Sequence, residues 1–409
     1  MTEETYLVLR LTPQKESQFN PLGTFNKSND FLSGKPSSAS PANDFKIDSV
    51  ELKAHEIQDL RRDKTVTDIV RPIPIALIAP VAASGPAAVP TAQEGATWGV
   101  QVTGALQSTY TGNGVTIAIL DTGIDATHEA FNGIELVQKD FTGEGDGDQN
   151  GHGTHVAGTI FGQTVNGLRY SIAPGVRRAL IGKVIGNQKS ASTKEIIDAI
   201  QWAVEGGAHV INMSLGFDFP GLVRWWTENQ GMAVDLATSK ALAEYRDNVR
   251  FFDRLMGLLQ ARAAQFNSAL VVAASGNESK RQIAANYCIE VAPPAAADGI
   301  LSVAALQTAG PPHQSLSVAA FSNIRPLVAA PGVDIYSARA GGGYTSMNGT
   351  SMASPHVTGV AALWAEQQLQ RTGTVNSNTL NAKLIGNADL NLITTQSFQD
   401  VGNGLVKAP

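Results

Sequence analysis

The chain has 409 residues, a net charge of −6 at pH 7 and a single cysteine, Cys288. Its length allows one large domain plus a small one, and 43% apolar against 16% charged residues is a globular balance. The negative charge gives no argument for nucleic acid or an anionic membrane as a partner. One cysteine excludes an intramolecular disulfide. The start has neither a signal-peptide pattern nor a membrane-spanning run, so we expect a cytoplasmic protein unless a leader was removed.

The N-terminal region predicts a small α+β unit. Residues 6–11 and 45–52 have strand patterns, and residues 12–44 between them are rich in Ser, Asn, Pro and Gly, typical of a long loop. Residues 54–64 favour a helix, and residues 66–78 return to a β-rich pattern. The order strand, strand, helix, strand indicates a separate α+β domain.

The rest of the chain alternates buried strands with helices. Apolar, β-branched runs that predict strands lie at residues 115–120, 179–185, 209–213, 270–274 and 300–305, and residues 194–205 predict a helix between two of them. Such alternation indicates an α/β fold with a mainly parallel sheet and helices on both faces. We therefore divide the chain into an α+β domain at 1–85, an Ala- and Pro-rich linker at 86–97 and a large domain at 98–409.

Three short glycine-rich segments carry the chemistry. Asp121 follows a predicted buried strand, His152 opens a small-residue helix, and Ser351 opens an apolar helix. A serine hydroxyl is a poor nucleophile at neutral pH, so an imidazole must take its proton and a carboxylate must orient that imidazole. The three segments supply these groups in the order Asp, His, Ser. A helix start, with unpaired N–H groups, also suits an oxyanion beside Ser351.

From about residue 98 to about residue 406 the chain resembles the subtilisin-like serine protease (subtilase) family, in which the catalytic residues occur in this order. The resemblance implies that Asp121 orients, His152 is the general base and Ser351 is the nucleophile. It also implies that Asn277 donates its side-chain amide to the oxyanion. The implied substrate-binding residues form two short runs, Ser214, Leu215 and Gly216, and Ala274, Ser275 and Gly276.

The resemblance implies an activity and leaves alternatives open. We expect a serine endopeptidase that acts on polypeptides through an acyl-enzyme on Ser351. A peptide ligase or macrocyclase would use the same acyl-enzyme with an amine in place of water. The third alternative is a catalytically idle scaffold on a protease fold, although Asp121, His152 and Ser351 are all present. The cleft segments are uncharged, so we expect an apolar or aromatic residue before the cut bond.

Residues 1–85 resemble the propeptide of that family in element order alone. If they are a propeptide, the resemblance implies that they act as a chaperone and inhibitor of the catalytic domain, and the enzyme cuts itself within residues 79–90. Before that cut, residues 74–84 should lie in the cleft like a product strand, bonded through the main chain to an edge strand. The alternative is an N-terminal decoration that is never removed.

A helical insertion is predicted around residues 217–266. Apolar residues recur every three or four positions, which predicts one continuous stripe on a long helix; they are Leu242, Tyr245, Val249, Phe252, Met256, Leu259, Ala263 and Phe266. Ahead of this helix, residues 217–226 are predicted as an aromatic loop that roofs the cleft or docks the N-terminal region.

No cofactor is required by the proposed chemistry, and we predict no metal ligands. Calcium, frequent in the family, has weak support because Ala130 stands where relatives often place an acidic ligand. The acidic loop at residues 140–148 offers oxygens for a hard cation, but a solvated loop is the favoured interpretation. His152 and His155 are three residues apart, yet no third ligand motif accompanies them.

Overall fold

The computed structural model describes residues 3–12, 45–82, 95–187, 190–263, 268–313, 315–394 and 397–409. The N-terminal region forms a three-stranded antiparallel sheet in the order β2-β1-β3 with one helix. Its elements are β1 (Glu4–Leu11), β2 (Phe45–Leu52), α1 (Ala54–Leu60) and β3 (Val66–Val70). The strand, strand, helix, strand order agrees with the expectation, whereas most of the loop predicted at 12–44 lies outside the described residues.

The large sheet is mainly parallel, which confirms the predicted fold class. Its strands are β5 (Thr116–Asp121), β6 (Glu135–Asp140), β7 (Arg178–Lys183), β9 (Val210–Met213), β11 (Leu270–Ala274), β12 (Ile300–Thr308), β13 (Leu316–Val318) and β14 (Val328–Pro331). They lie in the order β13-β12-β11-β9-β5-β7-β6, with β14 also paired to β12, and only β13 runs antiparallel to its neighbour.

Smaller strands and helices complete the fold. The remaining strands are β4 (Pro74–Leu77), β8 (Ser190–Ser192), β10 (Leu215–Gly216), β15 (Ile335–Ala338) and β16 (Tyr344–Met347). The helices are α2 (Trp98–Val102), α3 (His152–Phe161), α4 (Thr193–Glu205), α5 (Phe219–Arg224), α6 (Val234–Ala263), α7 (Thr350–Thr372), α8 (Ser377–Gly386) and α9 (Phe398–Val401). Among the described helices, none is both long enough and apolar enough to cross a membrane.

Helices cover both faces of the sheet because its strands are apolar on both sides. Along β5, Ile117 and Ile119 belong to one core with residues of α3 and α7. Ala118 and Leu120, which point to the opposite face, belong to a second core with residues of α4 and α6.

The N-terminal sheet is packed onto this second core. Leu7, Leu9 and Val70 are buried in the same cluster as Ile196 of α4 and Phe252 of α6. The small sheet therefore buries its apolar face on the large domain. Exposure of that face would cost on the order of 2 kcal/mol for each large side chain.

The insertion differs from its prediction in two respects. Residues 219–224 form a helix, α5, followed by a turn of π-helix at Trp225–Asn229, where a loop was predicted. The predicted stripe on α6 is buried at Phe252 and Met256, but its first member, Leu242, is 56% exposed, while Ala237 and Ala241 are buried. The alanines are buried because Trp226 packs on them, and large-residue periodicity cannot reveal such a contact.

Candidate active site

The carboxylate of Asp121 and the imidazole of His152 are in direct contact. Asp121 ends β5 and His152 begins α3, and both side chains are buried. His152 Nδ1 lies 2.7 Å from Asp121 Oδ1, which also accepts the N–H of Thr122 at 2.8 Å. The close approach requires a glycine at 153, where a Cβ would lie 2.1 Å from the carbonyl oxygen of Gly123. His152 Nε2 has no hydrogen-bond partner among the described residues.

Ser351 is buried in the first turn of α7. Its Oγ donates to the carbonyl oxygen of Ile78, at 2.9 Å. Behind it, Ser214 Oγ donates to the Ser351 carbonyl oxygen at 3.3 Å and lies 3.0 Å from Ser354 Oγ. The proton of Ser351 is thus directed to Ile78, and the structure shows no hydrogen bond between Ser351 and His152 in this state.

The amide of Asn277 is oriented by the start of α7. Asn277 Oδ1 accepts the N–H and the hydroxyl of Thr350, both at 2.9 Å. Because the oxygen is held in this way, Nδ2 faces the cleft, where it donates to the carbonyl oxygen of Ala79 at 3.0 Å. The preceding Gly276 has φ of +112°, and a Cβ there would lie 2.3 Å from Asn323 Nδ2.

The cleft is filled by the chain's own residues 74–81. Strand β4 lies antiparallel between β10 and β8, with Ala76 opposite Gly216 and Leu77 opposite Leu215. The N–H of Ile78 donates to the carbonyl oxygen of Ser214 at 3.4 Å, and the N–H of Val81 donates to the carbonyl oxygen of Asn348 at 2.8 Å. These are the main-chain contacts of a peptide added to a sheet edge.

The second predicted wall has a different environment. Ala274 ends β11, and the carbonyl of Ser275 accepts from Ala292 and from Asn323 Nδ2. Among the described residues, no hydrogen bond joins Ser275 or Gly276 to residues 74–81, whereas a Cβ on Gly216 would lie 3.3 Å from Ile78 Cδ1.

Two residues near this wall were missed by sequence reasoning. Asn323 Nδ2 donates to Glu278 Oε2 at 2.6 Å, and Asn323 Oδ1 accepts the N–H groups of Glu278 and Ser279. Burial raises the pKa of the Glu278 carboxyl. The position after Asn277 gave a signal for Glu278, but Asn323 lies in no motif and reaches the wall only through the fold.

The side chains and carbonyls at the two places considered for calcium are engaged within the protein. Asp140 accepts the N–H groups of Thr142 and Gly145, and Glu144 lies 3.7 Å from the buried ammonium of Lys183. A lysine therefore supplies the positive charge beside the acidic loop. At position 130, where relatives often place an acidic ligand, the carbonyl oxygen of Ala130 accepts the N–H of Gln163. Within the described part of the chain, no group of three His, Cys, Asp or Glu residues is arranged to hold a metal ion.

His155 does not act with His152 as a ligand pair. Its Nε2 is bonded to the carbonyl of Ile335 at 2.8 Å, and burial lowers its pKa to about 3. The ring is neutral at physiological pH and is used in packing.

A comparison with known families finds a match over most of the large domain. A sequence model of the subtilase family matches residues 112–404. The chain belongs to the subtilase family. This subtilase is 32% identical to the M-protease of Shouchella clausii over 82% of the chain and 77% of that protein. It is 33% identical to subtilisin Savinase of Lederbergia lenta over 76% of the chain and 96% of that protein. It is a subtilisin-like serine protease, a hydrolase that acts on polypeptides.

Proposed function

We propose that this subtilase is an endopeptidase that blocks its own cleft with its N-terminal region and releases the cleft by cutting the bond between Ile78 and Ala79. The observation that carries the proposal is the 2.9 Å contact between Ser351 Oγ and the carbonyl oxygen of Ile78. The sequence placed the cut within residues 79–90. The contact favours the bond at the start of that range.

The proposed reaction uses the four predicted residues in sequence. Asp121 holds His152 through Nδ1, and Nε2 takes the proton of Ser351 as Oγ bonds to the carbonyl carbon of Ile78. The resulting oxyanion is stabilised by Asn277 Nδ2. His152 then gives the proton to the Ala79 nitrogen, and the C–N bond breaks. Water, deprotonated by His152, releases residues 1–78 from the acyl-enzyme.

The contacts in this structure favour inhibition over attack. The Ser351 proton is donated to the Ile78 oxygen, and Asn277 donates to the next carbonyl, that of Ala79. Cleavage therefore requires the segment to shift so that Asn277 meets the Ile78 oxygen and Ser351 meets His152. This one-residue offset explains how the segment binds as an inhibitor before it is cut.

The pocket beside Ile78 favours an apolar residue before the cut bond. Ile78 is 5% exposed and lies against Gly216. A cavity of about 570 Å³ begins at Phe217, the residue after Gly216, and is also lined by Tyr245 and Ala292. Glu278 also lines this cavity. Its carboxyl accepts a hydrogen bond from Asn323 Nδ2, and burial raises its pKa.

Replacement of Ile78 tests the position of the cut. Wild-type enzyme should yield a mature chain that begins at Ala79, by intact mass and N-terminal sequencing. Ile78→Asp should slow this cut at least about 100-fold, because burial of an unpaired carboxylate costs several kcal/mol, while Ile78→Leu should be cut at nearly the wild-type rate. The proposal would be refuted by an active chain that still begins at residue 1. It would also be refuted by a cut at another bond whose rate is the same in Ile78→Asp and Ile78→Leu as in the wild type.

The insertion forms a clamp on the N-terminal region, defined here as Trp226, Glu244, Asn248 and Arg254. Glu244 is bonded to Arg71 at 3.2 Å and accepts Trp226 Nε1 at 3.2 Å, and the Arg71 guanidinium lies 5.4 Å from the Trp226 ring centre. Asn248 donates to the Arg71 carbonyl at 3.0 Å. These contacts support docking of the N-terminal region by the insertion.

Arg254 completes the clamp at the small sheet. It donates to the carbonyl of Thr67 at 2.7 Å and forms a 2.8 Å ion pair with Asp68. The clamp thus holds β3 and the residue that follows it, Arg71. We infer that it retains residues 1–78 on the enzyme after the cut, as a bound inhibitor.

Loss of Trp226 should release that inhibitor. In cut but still assembled enzyme, Trp226→Ala should raise the dissociation constant of residues 1–78 at least about tenfold, because buried interface aromatics typically carry about 2 kcal/mol. Activity that rises on dilution reports the release. Trp225, 40% exposed, provides the control Trp225→Ala. Equal inhibition in both variants, or a large fall in melting temperature with unchanged inhibition, would contradict the role of the clamp.

A further inference from the structure

We propose that Asp148 is a positioning residue that holds the Asp121–His152 pair in register. The proposal concerns the peptidase reaction itself and is independent of cleavage at Ile78. Asp148 lies in the acidic loop that the sequence indicated to be solvated. Its carboxylate instead ties together the two segments that carry the catalytic Asp and His.

The two oxygens of Asp148 accept five hydrogen bonds. Oδ1 accepts the hydroxyl of Thr122 at 2.9 Å and the N–H groups of Asn150 and Gly151 at 3.0 and 2.8 Å. Oδ2 accepts the N–H and the hydroxyl of Thr154 at 2.9 and 2.6 Å. Each oxygen is thus bonded to the segment around His152, and Oδ1 is also bonded to the residue after Asp121.

Thr122 and Thr154 also form hydrogen bonds between the segment after Asp121 and the segment around His152. Thr122 Oγ1 accepts the N–H of Gly153 at 3.0 Å, and Thr154 Oγ1 accepts the N–H of Asp125 at 2.9 Å. A closed network therefore joins residues 122–125 to residues 148–154. The imidazole and carboxylate of the catalytic pair lie beside this network and make their own bond between the same two segments.

Asp148 also replaces a missing helix cap. The N-cap of α3 is Gly151, which has no side chain to accept the first N–H groups of the helix. The Asp148 carboxylate accepts one of them, that of Thr154, from three residues upstream of the cap. The direction in which α3 leaves the loop, and so the position of His152, depends on this bond.

Small displacements of a catalytic group have large effects on rate. A misplacement of about 1 Å can lower the rate about 100-fold. The hydrogen bonds that hold catalytic side chains in position are therefore needed for activity. Among the described residues, Asp148 forms no hydrogen bond or ion pair with the side chain of His152 or Asp121. Its effect should be on the chemical step and not on binding of the peptide.

Asp148→Asn tests this role with little change in shape. The amide oxygen can still accept hydrogen bonds at the position of Oδ1. The amide NH₂ group takes the place of Oδ2, and because it cannot accept the N–H of Thr154, the capping bond is lost. We expect kcat to fall about 10-fold to 100-fold, with KM changed less than twofold. Rates are measured on purified enzyme, whether or not residue 78 has been cut, and are normalised by active-site titration. Asp146→Asn, which removes the same charge from an exposed neighbour in the loop, should leave both constants unchanged.

Two substitutions of Thr122 provide a second test in case Asp148→Asn folds poorly. Thr122→Val removes the hydroxyl that bonds Asp148 and Gly153, whereas Thr122→Ser retains it. We expect the valine variant to lose kcat at least about tenfold and the serine variant to keep most of it. Unchanged kcat per titrated site in Asp148→Asn or Thr122→Val, even with a lower melting temperature, would show a merely structural role. An equal loss in Asp146→Asn would show a general charge effect, and either result overturns the proposal.

Discussion

Ser351→Ala should abolish peptide hydrolysis and leave the bond between Ile78 and Ala79 uncut. The substitution removes the hydroxyl that we propose forms the acyl-enzyme, and in a subtilisin the loss of the nucleophilic serine costs about 10⁶ in kcat. The fold should persist, because only one hydroxyl is lost and its bond is to Ile78. The measurements are hydrolysis of a peptide anilide, labelling by a fluorophosphonate and the intact mass of the chain.

A second serine provides the control for Ser351→Ala. Ser315 is exposed, in a part of the chain remote in sequence from the cleft segments, so Ser315→Ala should match wild type in all three measurements. Labelling or turnover in Ser351→Ala would place the nucleophile elsewhere. An uncut chain with normal peptide hydrolysis in the wild type would leave the peptidase intact and refute self-cleavage alone.

Elements set by local pattern were predicted well from the sequence. The strands at 45–52 and 270–274 have the predicted bounds, and the mainly parallel sheet with helices on both faces follows from continuous apolar strands such as β5 and β11. The catalytic segments gave strong signals because glycines and a reactive residue are adjacent in the chain.

Features that depend on contacts between distant segments could not be predicted. The charge of Asp148 indicated a solvated loop, since nothing in its neighbourhood shows that Thr122 lies beside it. At the start of α6 the buried face was misjudged, because Ala237 and Ala241 are covered by Trp226. In the cleft, the segment that fills it was expected, but the opposition of Ala76 to Gly216 is a property of three-dimensional pairing.

Asn277→Ala should lower kcat about 10²–10³-fold, the loss found for one oxyanion-hole donor in a subtilisin, with little change in KM. The orientation of the amide carries this expectation. Thr350 donates two hydrogen bonds to Asn277 Oδ1, so Nδ2 must face the cleft, where it already donates to a peptide carbonyl. The donor is therefore pre-oriented for the developing negative charge, to which it bonds more strongly than to a neutral carbonyl.

Asn277→Asp separates the donor from the shape of the side chain. An ionised aspartate can still accept from Thr350, but it presents an oxygen and a negative charge where the oxyanion forms, so its kcat should be at least as low as that of Asn277→Ala. Both constants are measured on enzyme that has matured fully and been titrated for active sites. Both variants should still label with a fluorophosphonate, only more slowly, because Ser351, His152 and Asp121 are unchanged. A kcat in Asn277→Ala within threefold of wild type would mean that the oxyanion is held by other groups, such as the N–H groups at the start of α7.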